Sequence, residues 1–380
     1  MNAADFQLMV SEQAWAEIHL NRIRHNVQAI RQRLNAGVKL MAVVKGGGYG
    51  HGTVQAATAA LEAGAEALAV SALEEALLLR RAEIAVPILV LSPISPLAVD
   101  KAADFRIDLT VFQEDWIRRA LNRKTSALPL RVHIKLDTGM GRLGLRERDD
   151  WERLAPWLRS RHFRVAGVYT HFSSAGLADR SPTDRQFQKF QEMRRWVAEA
   201  GFDEAIAHCA NSAAAIRFPE YALDMVRVGA SLYGILPMDA EIARTIPLRL
   251  MPTFSLHTVI THIKQVAPGE TVGYDGSYTA RETEWIATLP IGYADGWFRG
   301  YRGFRVQVEG AACPIVGNIC MNQTMIRLPC KMPVGTKVTL IGADPNGIVS
   351  LDELAAHAGT IPQQVLTMIS ERIPKIYIDA

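Results

Sequence analysis

Residues 39–71 read KLMAVVKGGGYGHGTVQAATAALEAGAEALAVS. An apolar run ends on Lys45, a glycine-rich turn follows, the small and apolar residues 53–65 have the look of a helix, and a second apolar run closes the stretch. A short continuous apolar run bounded by turn residues is a strand buried on both faces. Strand, helix and strand in that order make a parallel β/α unit. Six further runs follow at similar spacing: PILVLS (87–92), IDLTVF (107–112), LRVHIKLD (130–137), RVAGVYTH (164–171), EAIAHC (204–209) and DMVRVG (224–229). Between them lie amphipathic segments such as ALEEALLLRRA (72–82) and PTDRQFQKFQEMRRWVAEA (182–200). Eight strands alternating with helices predict an α/β fold, a (β/α)8 barrel of the TIM type. An open doubly wound sheet is the alternative.

Beyond residue 245 the texture changes. FSLHTVITHIKQVAPGETVGYDGSY, WIATLPIGYADG, FRVQVEGAACPIVGNI and TKVTLIG alternate apolar and polar residues and are broken by Gly, Pro and Asp. That pattern predicts a mostly-β domain of antiparallel strands, with one late helix opening on Ser350. The expected division is 1–245 for the barrel and 246–380 for the β domain, with an N-terminal strand in AWAEIHL able to join the latter.

The bulk properties exclude several classes. A net charge of +3 without a basic block gives no footprint for nucleic acid or an anionic membrane. MNAADFQLMVSEQAW has neither the cationic nor the apolar region of a leader peptide, and no apolar run approaches bilayer length. The four cysteines form no CxxC pair, which argues against zinc and against a disulfide framework. A cytoplasmic enzyme or binding protein, with no metal, is the expectation.

In a TIM-type barrel the active site lies at the C-terminal ends of the strands. Lys45 ends run one; Lys135 and Asp137 end run five, with Arg142 just beyond; His171 ends run six; His208, Asn211 and Ser212 stand at the end of run seven; Arg227 and Gly229 end run eight. One strand-end lysine is most often a surface residue. A lysine, a histidine and two arginines on one barrel face form a stronger pattern, suited to a planar anionic cofactor held through an amine. Pyridoxal phosphate fits, because its aldehyde takes a lysine and its phosphate takes backbone N–H groups. ANSAA and VGASLYG are candidate phosphate cradles.

The pieces VVKGGGYGHG, KLDTGMGRLG, YTHFSSA, HCANSAAAIRFP, MVRVGASLYG, TVGYDGSY, LPIGYADG and CMNQTMIRLP, in this order, make the chain resemble the bacterial alanine racemase family over nearly its whole length. The resemblance implies pyridoxal 5′-phosphate, interconversion of L- and D-alanine and a homodimer with shared sites. It implies that Lys45 is joined to the cofactor and serves as one base. Tyr274 would be the other base, contributed in trans. It further implies that Tyr49, Ser212, Gly229 and Ala230, with Asn211 beside them, hold the phosphate, that Arg227 bonds the pyridine nitrogen and that His171 lies near the ring. Arg142 and the backbone of Met321 would hold the substrate carboxylate, Tyr293 would line the entrance, and Lys135 would be open to carbamylation. Two bases on opposite faces are what removal and return of a Cα proton require.

The chain also departs from the family's pattern. Gly46, Gly47 and Gly48 stand where Ala-Asn-Ala or Ala-Asp-Ala is usual, an apparent cost of roughly 0.5–1 kcal/mol per glycine in an ordered setting. Asn318 and Asn322 replace an arginine and an aspartate near the entrance, Gln363 replaces a tyrosine, and Glu371 and Lys375 replace a tyrosine and an arginine. A smaller side chain at 363 predicts relaxed specificity, with serine the first candidate beside alanine. The rival readings are another reaction on the same cofactor and a non-catalytic cofactor-binding protein.

Overall fold

The computed structural model describes residues 13–344 and 347–379. The opening segment 1–12, on which the expectation of no leader peptide bears, lies outside the described residues. The chain divides into two compact units, one of residues 22–251 and one of residues 13–21 with 252–379.

The first unit is a parallel eight-stranded barrel. Its strands are Lys39–Val43, Ala67–Val70, Ile88–Val90, Asp108–Val111, Leu130–Lys135, Phe163–Tyr169, Ile206–His208 and Met225–Val228. Each pairs with the next as far as the seventh, and the first pairs with the eighth, Met41 lying opposite Arg227. Between the seventh and eighth, Asp224 N donates to Ala207 O at 3.2 Å and Arg227 N to Ala210 O at 2.9 Å, so the ring is nearly closed. Residues two apart on a strand share a face. One half of the interior is therefore filled by Met41, Val43, Ala67, Ala69, Leu89 and Met225, a close-packed apolar cluster. The other half is polar: Asp108, Thr110, His133, Lys135, Tyr169, His208 and Arg227 are all buried. Polar groups persist in such a place only when bonded, and their partners define the site below.

Helices coat the barrel. Leu73–Arg81 shows why they form: Glu74 and Glu75 sit in its first turn, Arg80 and Arg81 in its last, and Leu73, Ala76, Leu77 and Leu79 face inward. The longest, Ser181–Glu199, is amphipathic, burying Gln186, Phe190, Met193 and Val197. Among the described residues no helix is long and apolar enough to cross a membrane.

The second unit is mostly β. Its main sheet runs in the order Ala311–Pro314, Arg305–Val308, Lys337–Asp344, Phe254–Val259, Ala14–His19 and Lys375–Ile378, with Gly347–Val349 pairing alongside. The N-terminal strand is thus antiparallel to Phe254–Val259 and parallel to the C-terminal strand. A second sheet joins His262–Val266, Glu284–Leu289 and Thr324–Leu328. Leu351–His357 begins at Ser350, whose hydroxyl accepts the Glu353 N–H at 3.3 Å. A last helix spans Pro362–Met368.

Candidate active site

Lys45 stands two residues beyond the end of the first barrel strand, at the head of a turn with unusual handedness. Gly46, Gly47 and Gly48 have φ of 63°, 65° and 63°, and Tyr49 follows at 53°. Four successive residues therefore trace a left-handed helical turn, closed by Gly48 N to Val44 O at 3.0 Å and Gly50 N to Gly46 O at 3.1 Å. For residues with a Cβ this conformation costs roughly 1–2 kcal/mol each. The sign of the glycine effect expected from the sequence is thereby reversed: here glycine relieves strain that alanine would carry. Glu75 holds the turn from outside, its carboxylate accepting the Gly46 N–H at 2.6 Å while also accepting Ser71 N–H at 2.9 Å and Ala72 N–H at 3.1 Å. His51 braces the far side, Nδ1 lying 3.1 Å from Gly48 O and 3.0 Å from Tyr49 O. Burial, and then the Arg142 guanidinium, push the Lys45 amine below the usual lysine range, with Glu75 opposing.

Tyr49 ends the turn with its ring stacked on Tyr233, centroids 4.8 Å apart. Burial pushes its hydroxyl up to about 12, so it is a hydrogen-bond donor at neutral pH. The hydroxyl lies over Gly229 so closely that a Cβ there would stand 2.7 Å from it. Gly229 N–H donates to Ser212 Oγ at 3.0 Å. Ala230 opens the 3-10 turn Ala230–Tyr233 next to them. Tyr49, Ser212, Gly229 and Ala230 thus meet in one cradle of donors where only glycine fits. Asn211 is engaged otherwise: its Oδ1 accepts Ala214 N–H at 3.1 Å as the cap of helix Ser212–Arg217, and its Nδ2 donates to Phe172 O at 3.2 Å. It shapes the cradle through the helix start.

Arg227 is buried on the eighth strand. Its Nη1 donates to His208 O at 2.8 Å and to His208 Nδ1 at 3.0 Å. Its Nη2 donates to Thr170 O at 2.6 Å and Cys209 O at 3.3 Å, and lies 3.4 Å from His171 Nδ1. Burial and the neighbouring cations hold His171 and His208 well below the usual histidine range, so both rings are neutral. Lys135 is buried at the end of the fifth strand. Burial and then Arg227 and Arg142 push its amine down to about 7, against Asp137, and Nζ donates to Leu136 O at 2.7 Å. Asp137 is spent on the following loop, accepting Gly139 N–H at 3.1 Å and Gly141 N–H at 3.0 Å. Arg142, beyond that loop, is exposed.

The remaining predicted residues belong to the second unit. Tyr274 opens the 3-10 turn Tyr274–Gly276 with its side chain 67% exposed. Asn318 Nδ2 donates to Tyr274 O at 3.3 Å. Tyr293 and Met321 are tied together: Tyr293 N–H donates to Cys320 O at 3.0 Å and Ala294 N–H to Met321 O at 2.9 Å. Tyr274, Asp295, Met321, Asn322 and Arg372 line one cleft of about 750 Å³, with Arg372 Nη2 2.6 Å from Asp295 Oδ1. Gln363 is the second residue of the last helix and is partly exposed.

Sequence reasoning missed Glu75, Asp108, His133 and Thr170. One of them, His133, carried a signal. His133 and Lys135 interrupt an apolar barrel strand at a spacing of two, which puts both inside.

The pattern described as "Alanine racemase, N-terminal domain" matches residues 18–237, and "Alanine racemase, C-terminal domain" matches 253–377. The chain is 47% identical to the alanine racemase of Geobacillus kaustophilus over 365 residues, covering 96% of this chain and 94% of that protein. Its fold is similar to that of alanine racemase from Bacillus anthracis with bound L-Ala-P, at a TM-score of 0.94 and 44% identity, covering 96% and 95% of the two chains. It is also similar to histidine racemase from Leuconostoc mesenteroides, at a TM-score of 0.88 and 28% identity, covering 97% and 98%.

Proposed function

The chain belongs to the alanine racemase family of pyridoxal 5′-phosphate-dependent isomerases, and from that premise we propose that it interconverts L- and D-alanine with Lys45 and Tyr274 as its two bases. The observation that carries the reading is the pairing of a strand-end lysine, its amine held below the usual range, with the donor cradle of Tyr49, Ser212, Gly229 and Ala230. A protonated tyrosine, a serine and backbone amides suit a phosphate dianion.

When bound, pyridoxal phosphate withdraws electrons from the substrate Cα and makes its proton acidic. Arg227 would bond the pyridine nitrogen, and its guanidinium keeps its own proton. That restrains electron withdrawal and favours simple proton exchange. Lys45, with a lowered pKa, is neutral in a larger fraction of molecules than an ordinary lysine and takes or returns the proton on one face. Tyr274 does the same on the other face. We assign Tyr274 to a second copy of the chain, which makes the active form a homodimer, and we assign the enzyme to the cytoplasm. Arg142 and the Met321 backbone bind the substrate carboxylate, Lys135 as a carbamate orients Arg142, and Tyr293, Asn318, Asn322 and Gln363 set the entrance. The similarity to a histidine racemase and the glutamine at 363 support a second reading, in which serine or another amino acid competes with alanine.

Chiral analysis of products across the small amino acids, with the cofactor-loaded enzyme in D2O, tests both. Equal Cα deuteration of L- and D-alanine is expected. Cofactor binding without Cα exchange would overturn the racemase reading.

A further inference from the structure

Arg227 is a buried cation whose five recorded hydrogen-bond partners are three carbonyls and two imidazole nitrogens, none of them an anion. A buried charge needs compensation. The barrel interior supplies it at a distance. Beyond Arg227, His208 Nε2 lies 2.9 Å from His133 Nδ1, and His133 Nε2 lies 3.3 Å from Asp108 Oδ2. All four side chains are buried. Asp108 is further held by Arg131, with Nε at 2.7 Å and Nη2 at 3.1 Å. His208 is clamped flat against Tyr169, the rings 4.9 Å apart and 2° from parallel.

The proton positions along this chain follow from its ends. Arginine has only donors and a carboxylate only acceptors. Arg227 donates to His208 Nδ1, so that nitrogen is bare and the proton of the neutral ring is on Nε2. His208 Nε2–H then donates to His133 Nδ1, which leaves His133 to donate through Nε2 to Asp108. Both imidazoles take the Nε2–H form, and every bond points from the cation to the carboxylate.

We infer that Asp108 and His133 are positioning residues for Arg227: through His208 they fix the plane of its guanidinium and offset its charge along a one-directional relay. The inference rests on the proposed role of Arg227 toward the pyridine nitrogen. Neither Asp108 nor His133 touches the cradle residues, and their effect passes through Arg227.

Nitrogen-15 NMR of histidine-labelled, cofactor-loaded enzyme reads the relay without reference to turnover. The expected result is the Nε2–H form for both His133 and His208. The His133→Phe variant, confirmed folded by circular dichroism, should lose the slowly exchanging His208 Nε2 proton. It should lower kcat by roughly tenfold to a hundredfold, as small misplacements near a reacting group do, with KM nearly constant. The His133→Gln variant can still accept at one end and donate at the other, and should recover most of that loss. An Nδ1–H or charged His133 would overturn the inference, as would a folded His133→Phe enzyme with unchanged kcat and unchanged His208 signals. A chain with the expected tautomers that racemises nothing would instead refute the functional reading and leave the relay standing.

Discussion

The Glu75 carboxylate accepts the Gly46 N–H at 2.6 Å, so the residue that closes the first turn of one barrel helix also tethers the turn that carries Lys45. Its charge acts on the lysine as well, raising the pKa that burial and Arg142 lower. Glu75→Ala should cost roughly 1.5–3 kcal/mol, the worth of hydrogen bonds to a charged group, measurable by urea denaturation. Glu75→Gln should keep part of the tether while removing the charge. The Lys45 amine then falls further, and the acid limb of the pH–kcat profile moves to lower pH.

Gly47→Ala separates the two accounts of the triple glycine. Its φ is 65° and a Cβ there would meet nothing within 4 Å, so strain alone decides. Destabilisation of about 1–2 kcal/mol is expected. A gain in stability, as helix propensity alone would give, would count against the left-handed turn. Gly48→Ala should be worse, because its Cβ would stand 3.2 Å from Ala56 Cβ.

Lys135 gives a pH dependence with a definite sign. Its folded pKa is about 7, below the ordinary lysine value of 10.5. Between those values the unfolded chain binds more protons than the native one, so native stability rises with pH across that window. The burden of the buried ammonium is full below pH 7 and gone above about 10. In CO2-free buffer Lys135→Met should be more stable than the parent at pH 6, with the difference shrinking as pH rises. Added bicarbonate near pH 8 should increase the mass of the parent protein by one CO2 and leave Lys135→Met unchanged.

Subunit mixing tests where the second base comes from. Lys45→Ala and Tyr274→Phe should each be inactive or nearly so alone. If Tyr274 acts across a dimer, each mixed dimer regains one intact site, and activity returns when the two variants are unfolded and refolded together. No recovery from verified heterodimers would place Tyr274 in the same chain's site or outside the chemistry.

Gln363→Tyr should shift kcat/KM toward alanine over serine by about tenfold to a hundredfold, the range a change of pocket wall commonly covers. An unchanged ratio would remove position 363 from the account of specificity.

The barrel was legible in the sequence for a physical reason. Strands covered on both faces must be apolar throughout, and KLMAVVK or PILVLS can be little else. Lys45, Arg227 and the ANSAA turn were legible as strand ends for the same reason. Three things were not. The N-terminal strand was expected to be able to join the β domain, but its partner Phe254–Val259 lies far away in the chain and no local pattern singles it out. The backbone sign at Gly46–Gly48 cannot be read from composition, because glycine is as common in loose turns as in left-handed ones. Asp108 resembles the polar edge of IDLTVF; only the fold turns it inward, toward His133 and Arg131.

The handedness of the turn beside Lys45 has a stereochemical consequence. At a backbone of φ near +63°, the mirror image of an ordinary helix, a D-residue is the relaxed one and an L-residue the strained one. A semisynthetic chain with D-alanine at position 47 should fold at least as stably as the natural one, gaining about 0.4–1 kcal/mol from the stiffer unfolded chain. A protein proposed to make D-alanine thus carries, next to its own reactive amine, a stretch of main chain into which its product would fit better than its substrate.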